Sequence, residues 1–597
     1  MGLASFARSC LTAPMKPDTP PSFALTLATR VARIYPDLDA DALANQIVEA
    51  FWPDPAKRRK RARTPGNKMW SEEDALIITY GNSLIDGSHK PLDLLHDFLL
   101  RYWKGYLNAV HILPFFTYTS DDGFAVSDFR AVNPQLGDWP DINRIDDDFK
   151  LMSDLVLNHV SSQGAWFNAY RQGQAPYDKF FFEASPEDDL SAVVRPRTTP
   201  LLQEVETSNG PRHVWCTFSH DQIDVDFRNP EVLLEFLRII RLHLDNGVRL
   251  IRLDAVAFLW KVAGTPSIHL PQTHEVIKLM RLLCDNTSER VVLITETNVP
   301  KTENLSYFGK RNEAHMIYNF PLPPLMLYAM MSGDASALVK WQKAMPPAPL
   351  GCAYLNFTAS HDGIGMRPAE GLLSAEQQAQ VIDTVREIGG LVSMRALPGG
   401  GEAPYEINTT FFDAMQRTFE GPDDYHFDRF MCSQTLVMAL EGIPAFYIHS
   451  LLATPNDRDG VEKRGMNRAI NRHRWDYPEL RALLEDPETM QARVMEAFHT
   501  RLALRKQQAA FHPNATQFTL NSGDTRVFTL WRQSLDRSQS IFALHNVSKD
   551  VIDLPSYHLN LIEDETWVDI LTGEHVSMAD GVIRLAPYQC RWITNLG

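Results

Sequence analysis

From residue 75 onward, short apolar runs rich in β-branched residues alternate with longer amphipathic stretches, the pattern of a parallel sheet wrapped by helices. Eight such runs stand out: Ala75–Tyr80, Ala109–Pro114, Leu151–Asn158, Val248–Asp254, Val291–Glu296, Met316–Phe320, Ala353–Thr358 and Ala445–His449. They predict an α/β fold, a (β/α)8 TIM barrel, whose active-site residues gather at the C-terminal strand ends. The barrel is expected over 71–159 and 236–510. About 90 residues separate the third and fourth runs, too many for one helix, so a small domain is expected to be inserted over 160–235. A second long gap, from Asp362 to Glu441, carries Leu397-Pro398-Gly399-Gly400-Gly401 and predicts a loop-rich insertion over 365–435 that shapes a substrate site.

The flanks read differently. Residues 1–70 form an N-terminal helical extension, with a helical pattern from Phe23 to Ala50 and then the solvated basic loop Lys57–Arg61. After residue 510 the period changes to alternation, in Gln517–Leu520, Val527–Leu530, Ile541–Leu544 and Gly581–Leu585, which predicts a C-terminal antiparallel β domain over 511–597.

Composition narrows the class. The 597 residues are 44% apolar and 22% charged, with a formal net charge of −16. That acidity argues against a nucleic-acid groove, which needs a basic surface. No run approaches the roughly 18 apolar residues of a membrane span, and the first residues lack the apolar core of a signal peptide. The six cysteines are scattered with no CxxC pair, so neither a zinc site nor a disulfide framework is signalled, and reduced thiols in a cytoplasmic protein are expected. The expected partners are small molecules, with no nucleic acid and no membrane. Monomer and homodimer both stay open.

Candidate chemistry sits where the runs end. The third ends Asp154-Leu155-Val156-Leu157-Asn158-His159, the fourth Arg252-Leu253-Asp254, the fifth Thr295-Glu296, and the seventh leads into Ser360-His361-Asp362-Gly363. One Asp at a strand end is usually a helix N-cap. Four ionisable ends around one axis carry a desolvation cost that a structural role does not need. Three carboxylates around one pocket suit retaining glycoside chemistry, which uses a nucleophile and an acid/base about 5–5.5 Å apart. Arg252, two residues before Asp254 on the same strand face, is placed to keep Asp254 ionised. Glu296, after an apolar run, is placed to stay protonated.

These four segments resemble, in order, spacing and strand placement, the four motif regions of the α-amylase superfamily, over about residues 70–510. The resemblance implies that Asp254 is the nucleophile, Glu296 the acid/base and Asp362 the transition-state stabiliser that binds the sugar 2- and 3-hydroxyls. It places His159, His361 and Arg252 around the donor glucose. Further segments, Asp121–Phe124, Arg195–Arg197, Asp221–Asp224, His361–Gly365 and Arg468–Arg472, are similar to the sucrose phosphorylase group. That implies a closed pocket for one glucose, anchored at its 4- and 6-hydroxyl end by Asp121 with Phe124 beside it. Inorganic phosphate is then the co-substrate in place of water, the product is α-glucose 1-phosphate, and no cofactor or metal is implied. Although the Asp154/Asn158 neighbourhood binds calcium in amylases, no calcium loop is legible here.

Phosphorolysis requires a cation beside the glucosyl-enzyme, and Arg197 is the first candidate, with Arg395 and Arg468 behind it. Tyr405-Glu406 stands where sucrose phosphorylases carry Tyr-Gln, a change that alters which acceptor the loop can bind. The segments Phe258–Lys261 and Ile268–Glu275 are similar to the branch acting on glucosylglycerate and sucrose 6′-phosphate, as is the N-terminal extension. The favoured substrate is 2-O-α-glucosylglycerate, since no extra basic cluster for a second phosphate is visible. Sucrose 6′-phosphate, sucrose and glucosylglycerol remain alternatives, as does an α-glucoside hydrolase or transglucosidase. An inactive barrel serving as a binding subunit is disfavoured by the intact trio.

Overall fold

The computed structural model describes residues 21–58, 66–396, 401–559, 566–576 and 581–595. All eight expected strands are present: Leu76–Thr79 (β1), Ala109–Ile112 (β2), Lys150–Val156 (β3), Val248–Asp254 (β4), Val292–Thr295 (β5), Met316–Tyr318 (β6), Ala353–Asn356 (β7) and Ile443–Tyr447 (β8). They pair in parallel, each beside its sequence neighbours, and β8 closes the barrel on β1. Their side chains are buried almost throughout. Strands covered on both faces read as unbroken apolar runs, which is why they stood out in the sequence. The boundaries differ slightly. Asn158 and Glu296 lie just past β3 and β5, β8 starts two residues earlier than expected, and His449 belongs to the helical turn Ile448–Leu451.

The stretch after β3 pairs His159–Ser161 antiparallel with Gln222–Asp224 and then forms a ribbon, Leu202–Thr207 with Gly210–Trp215. Its own core is small, centred on Phe182, Leu201 and Trp215. A buried cation ties it to the barrel. Lys261 donates to Asp224 Oδ2 (3.0 Å), Asn158 Oδ1 (2.9 Å) and the Phe258 carbonyl (2.8 Å), and the lysine, Asp224 and Asn158 are sealed from solvent. After β7, the strands Ile364–Gly365, Leu391–Ala396 and Glu402–Asn408 form an antiparallel sheet with Glu402–Asn408 in the middle. This register lays Glu406 opposite Gly365, next to the loop from β7. The glycine-rich residues 397–400, residues 59–61 of the basic loop and Cys10 lie outside the described residues.

The N-terminal helical pattern resolves into two helices, Pro21–Ile34 (α1) and Ala40–Phe51 (α2). Pro36 ends the first, because the residue before a proline is pushed out of helical conformation. Asp39 then caps the second by accepting from the Asp41 and Ala42 amides. These helices pack against Pro271–Cys284 and Pro230–Asp245, the helices that follow and precede β4. Arg30 reaches Glu275 (2.7 Å) and the Tyr35 hydroxyl donates to the Phe227 carbonyl (2.9 Å).

The C-terminal alternation has a double meaning. Along Val527–Gln533 (β9), Ser540–Asn546 (β10) and Cys590–Thr594 (β11), one set of residues (Phe528, Leu530, Ile541, Ala543, Trp592) joins the barrel core. The intervening set (Val527, Phe542, Leu544, Ile593) builds a second core against the hairpin Ile552–Pro555 and Val582–Leu585. Arg532 crosses the seam, donating to the carbonyls of Ala439 (2.8 Å) and His512 (2.9 Å). Among the described residues, no helix is long and apolar enough to cross a membrane.

Replacing Lys261 by Met leaves Asp224 buried and uncompensated, a change that costs about 3–5 kcal/mol. Urea unfolding of Lys261→Met should show this loss, and adding Asp224→Asn should recover part of it.

Candidate active site

Because Leu253 of β4 pairs with Thr295 of β5, the next residues along, Asp254 and Glu296, emerge side by side at the barrel mouth. Adjacent strands lie about 4.8 Å apart, a spacing that fits the carboxylate separation of a retaining pair. Arg252 Nη1 donates to Asp254 Oδ1 at 2.6 Å and also contacts Asp154 on β3, which His111 of β2 grips at 2.7 Å. Glu296 instead accepts only a longer bond, 3.3 Å, from the Ala255 amide. Burial pushes both carboxyls up, and the neighbouring charge of Glu296 raises Asp254 further, as that of Asp362 raises Glu296. The pair therefore holds a shared proton above the usual carboxylate range. The guanidinium on Asp254 directs that proton to Glu296.

Asp362 stands on the loop after β7. Burial opposes its charge, yet Arg468, then His361 and Arg252, hold its carboxyl well below the usual range. Arg468 Nη1 lies 2.5 Å from Asp362 Oδ1, while its Nε and Nη2 fork onto Glu406 at 2.8 and 2.9 Å. Glu406 is only 3% exposed, so both its oxygens are committed to this arginine. A glutamine here would offer one oxygen and no charge.

The opposite wall is built by backbone strain. Asp121 and Asp122 both sit in the left-handed region, with φ of 54° and 48°. Gly123 follows at φ 119°, where an added Cβ would meet the Pro114 carbonyl at 2.7 Å. Turned this way, Asp122 accepts from Arg472 (2.8 Å) and Arg464 (3.1 Å), and Asp121 is left facing the cavity near Gln222. His159 contacts the Phe124 carbonyl and Gln222, both at 3.2 Å, and burial lowers its pKa to about 4, so it is neutral at pH 7. The ring of His361 stacks on Phe124 at 4.9 Å with an interplanar angle of 4°.

The cavity so formed brings together Asp254, Glu296, Asp362, Asp121, His159 and His361. Phe124, Arg197, Tyr405, Glu406 and Arg468 line it as well, and Arg252 lies directly beneath. Arg197 spans the rings of Phe218 (5.7 Å) and Tyr405 (5.4 Å). Arg395 stands apart, pairing with Glu370 at 2.9 Å and lining the neighbouring cavity. Sequence reasoning passed over His111, Asp122, Arg472 and Lys261. Arg472, the Asp122 doublet and Lys261 lie inside quoted segments, so the signal was there. His111 sits mid-strand with nothing to mark it. Among the described residues, no group of His, Cys, Asp and Glu is arranged to hold a metal ion.

Residues 100–362 match the model of the alpha-amylase catalytic domain. The chain is 45% identical to glucosylglycerate phosphorylase of Spirochaeta thermophila over 481 residues, 80% of each chain. It is 40% identical to the glucosylglycerate phosphorylase of Allomeiothermus silvanus, covering 93% of this chain and 96% of that one. Among solved structures, sucrose 6F-phosphate phosphorylase from Thermoanaerobacter thermosaccharolyticum superposes with a TM-score of 0.69 at 23% identity, covering 84% of this chain and 98% of that one, a likeness of fold. On its barrel, its motifs and these identities, the chain belongs to the alpha-amylase family, within the group of glycoside phosphorylases that holds the glucosylglycerate phosphorylases.

Proposed function

We propose that the chain is a glucosylglycerate phosphorylase, converting 2-O-α-glucosylglycerate and phosphate into α-glucose 1-phosphate and glycerate. The observation that carries this reading is Arg197. Each of the other arginines around the donor pocket has a carboxylate partner: Arg252 on Asp154 and Asp254, Arg468 on Asp362 and Glu406, Arg472 on Asp122. Arg197 donates only to the Pro196 carbonyl and rests on two rings, so among the described residues it has no anion. A guanidinium held on aromatic faces at the cavity mouth suits a phosphate oxygen better than a water. The relatives supply the disaccharide.

In this mechanism Asp254 attacks the anomeric carbon as the bond to the glycerate oxygen breaks, and Glu296 passes its proton to that oxygen. The resulting glucosyl ester is then attacked by a phosphate oxygen. Its C1–O bond to Asp254 breaks, and Glu296 takes back the phosphate proton. Two inversions return the α configuration. Asp362, ionised by Arg468, accepts the 2- and 3-hydroxyls as positive charge develops at the anomeric carbon. Asp121, with Arg472 behind it, holds the far end of the sugar, with Phe124, His159 and His361 forming its walls. Tyr405 and Arg197 meet the phosphate.

The decisive experiment supplies α-glucose 1-phosphate with glycerate, glycerol, fructose or fructose 6-phosphate and follows phosphate release. Release with glycerate should exceed the others and the acceptor-free control, whereas phosphate-independent glucose release at a comparable rate from the disaccharide would mean a hydrolase. Arg197→Ala should lower kcat/KM for phosphate by about 10- to 100-fold, the value of a charge-assisted bond, and raise the share of hydrolysis. Because burial raises the Glu296 pKa, the acid form persists above the usual carboxylate range, and kcat/KM for the disaccharide should fall as pH climbs through that raised pKa. Glu296→Gln should remove that alkaline limb along with about 10²–10⁴ of the rate.

A further inference from the structure

A second cavity adjoins the first and shares Phe218, Ala255, Glu296, Asn298 and Tyr405 with it. Glu296 thus stands at the junction. In a retaining mechanism the group that protonates the leaving oxygen lies on the aglycone side, so the acceptor half of the substrate must sit where this cavity begins. Its walls are largely apolar, with Val193, Phe258 and Ile268, but three arginines enter it: Arg195, Arg367 and Arg395. Arg395 is neutralised by Glu370. Arg195 is not. Its Nε and Nη2 are hidden from solvent with no hydrogen-bond partner, and burial lowers its pKa with no counter-charge to offset it. Among the described residues no carboxylate pairs with Arg367, which opens the turn Arg367–Ala369. The Oδ1 atom of Asn298, on the shared wall, is likewise buried and without a partner. Hidden guanidinium nitrogens without acceptors are costly, and an anion that binds there relieves the cost.

We propose that Arg195 and Arg367 form the anion site of the acceptor subsite, receiving the carboxylate of a small hydroxy acid while Asn298 accepts one of its hydroxyls. This assignment rests on the phosphorylase reading above. It divides the cationic work: Arg197 in the first cavity for phosphate, Arg195 and Arg367 in the second for the acid. An acceptor without a negative charge leaves both guanidiniums unpaired, so selection against neutral polyols is built into the cavity.

The test measures kcat/KM in the synthetic direction from α-glucose 1-phosphate with glycerate, lactate, glycerol and fructose 6-phosphate, for the wild type and for Arg367→Gln, Arg195→Gln and Arg367→Lys. Thermal melts identify any variant that fails to fold, and the two positions are read independently. The ratio of acid to glycerol should fall by about 10- to 100-fold in each Gln variant, with partial recovery in Arg367→Lys. An unchanged ratio, a parallel loss with glycerol, or a rise in the phosphate KM as large as that for glycerate would overturn the assignment. A wild type that prefers fructose 6-phosphate to either acid would overturn it too. A wild type that prefers lactate to glycerate sinks the disaccharide named above, while loss of acid preference in Arg367→Gln still upholds the anion site.

Discussion

Everything at the barrel mouth depends on one buried guanidinium. Arg252 is nearly sealed from solvent and lies between Asp154 and Asp254, on adjacent strands of the barrel. Without it, two carboxylates in low dielectric would repel each other and Asp254 would hold a proton. With it, the sum of charge around Asp254 and Glu296 leaves room for a single proton, which falls on Glu296, the proposed acid. The same logic repeats on the next side of the pocket, where Arg468 bridges Asp362 and Glu406, and again where Arg472 bears on Asp122. Apart from Arg252–Asp254 within β4, these ion pairs join elements far apart in sequence, so the electrostatic arrangement and the barrel closure specify each other.

The barrel was legible because its strands are buried on both faces and read as apolar runs, and the ends of those runs delivered Asp254, Glu296 and His361-Asp362. What stayed hidden shares a different property. His111 is one polar residue inside an apolar strand, and its value comes only from the neighbouring strand placing Asp154 at 2.7 Å. The break between α1 and α2 was available in Pro36 and Asp39, yet a continuous helical period masked it. Lys261 stood in a quoted segment, but its tie could not be read, because its partners Asn158 and Asp224 come together only when the insertion folds back. Glu406 was visible as a departure from Tyr-Gln. Its register opposite Gly365 and its fork on Arg468 are tertiary facts.

The two cavities differ in kind. Around the first, nearly every charge has a partner, so a substitution among them leaves a buried group unmatched. In the second, Arg395 has Glu370 while Arg195 and Arg367 have no carboxylate among the described residues. On the proposed reading, chemistry and acceptor choice sit on opposite sides of one carboxyl group, and change on one side need not disturb the other.

The C-terminal sheet has an implication for how the chain is made. Its barrel-facing residues, from Phe528 to Trp592, are part of the same apolar core that α1 and α2 enter from the other end of the sequence. A ribosome releases the N-terminal helices long before Trp592. Until β11 emerges, the nascent barrel carries an uncovered apolar seam, along which the growing polypeptide is prone to stick to its neighbours.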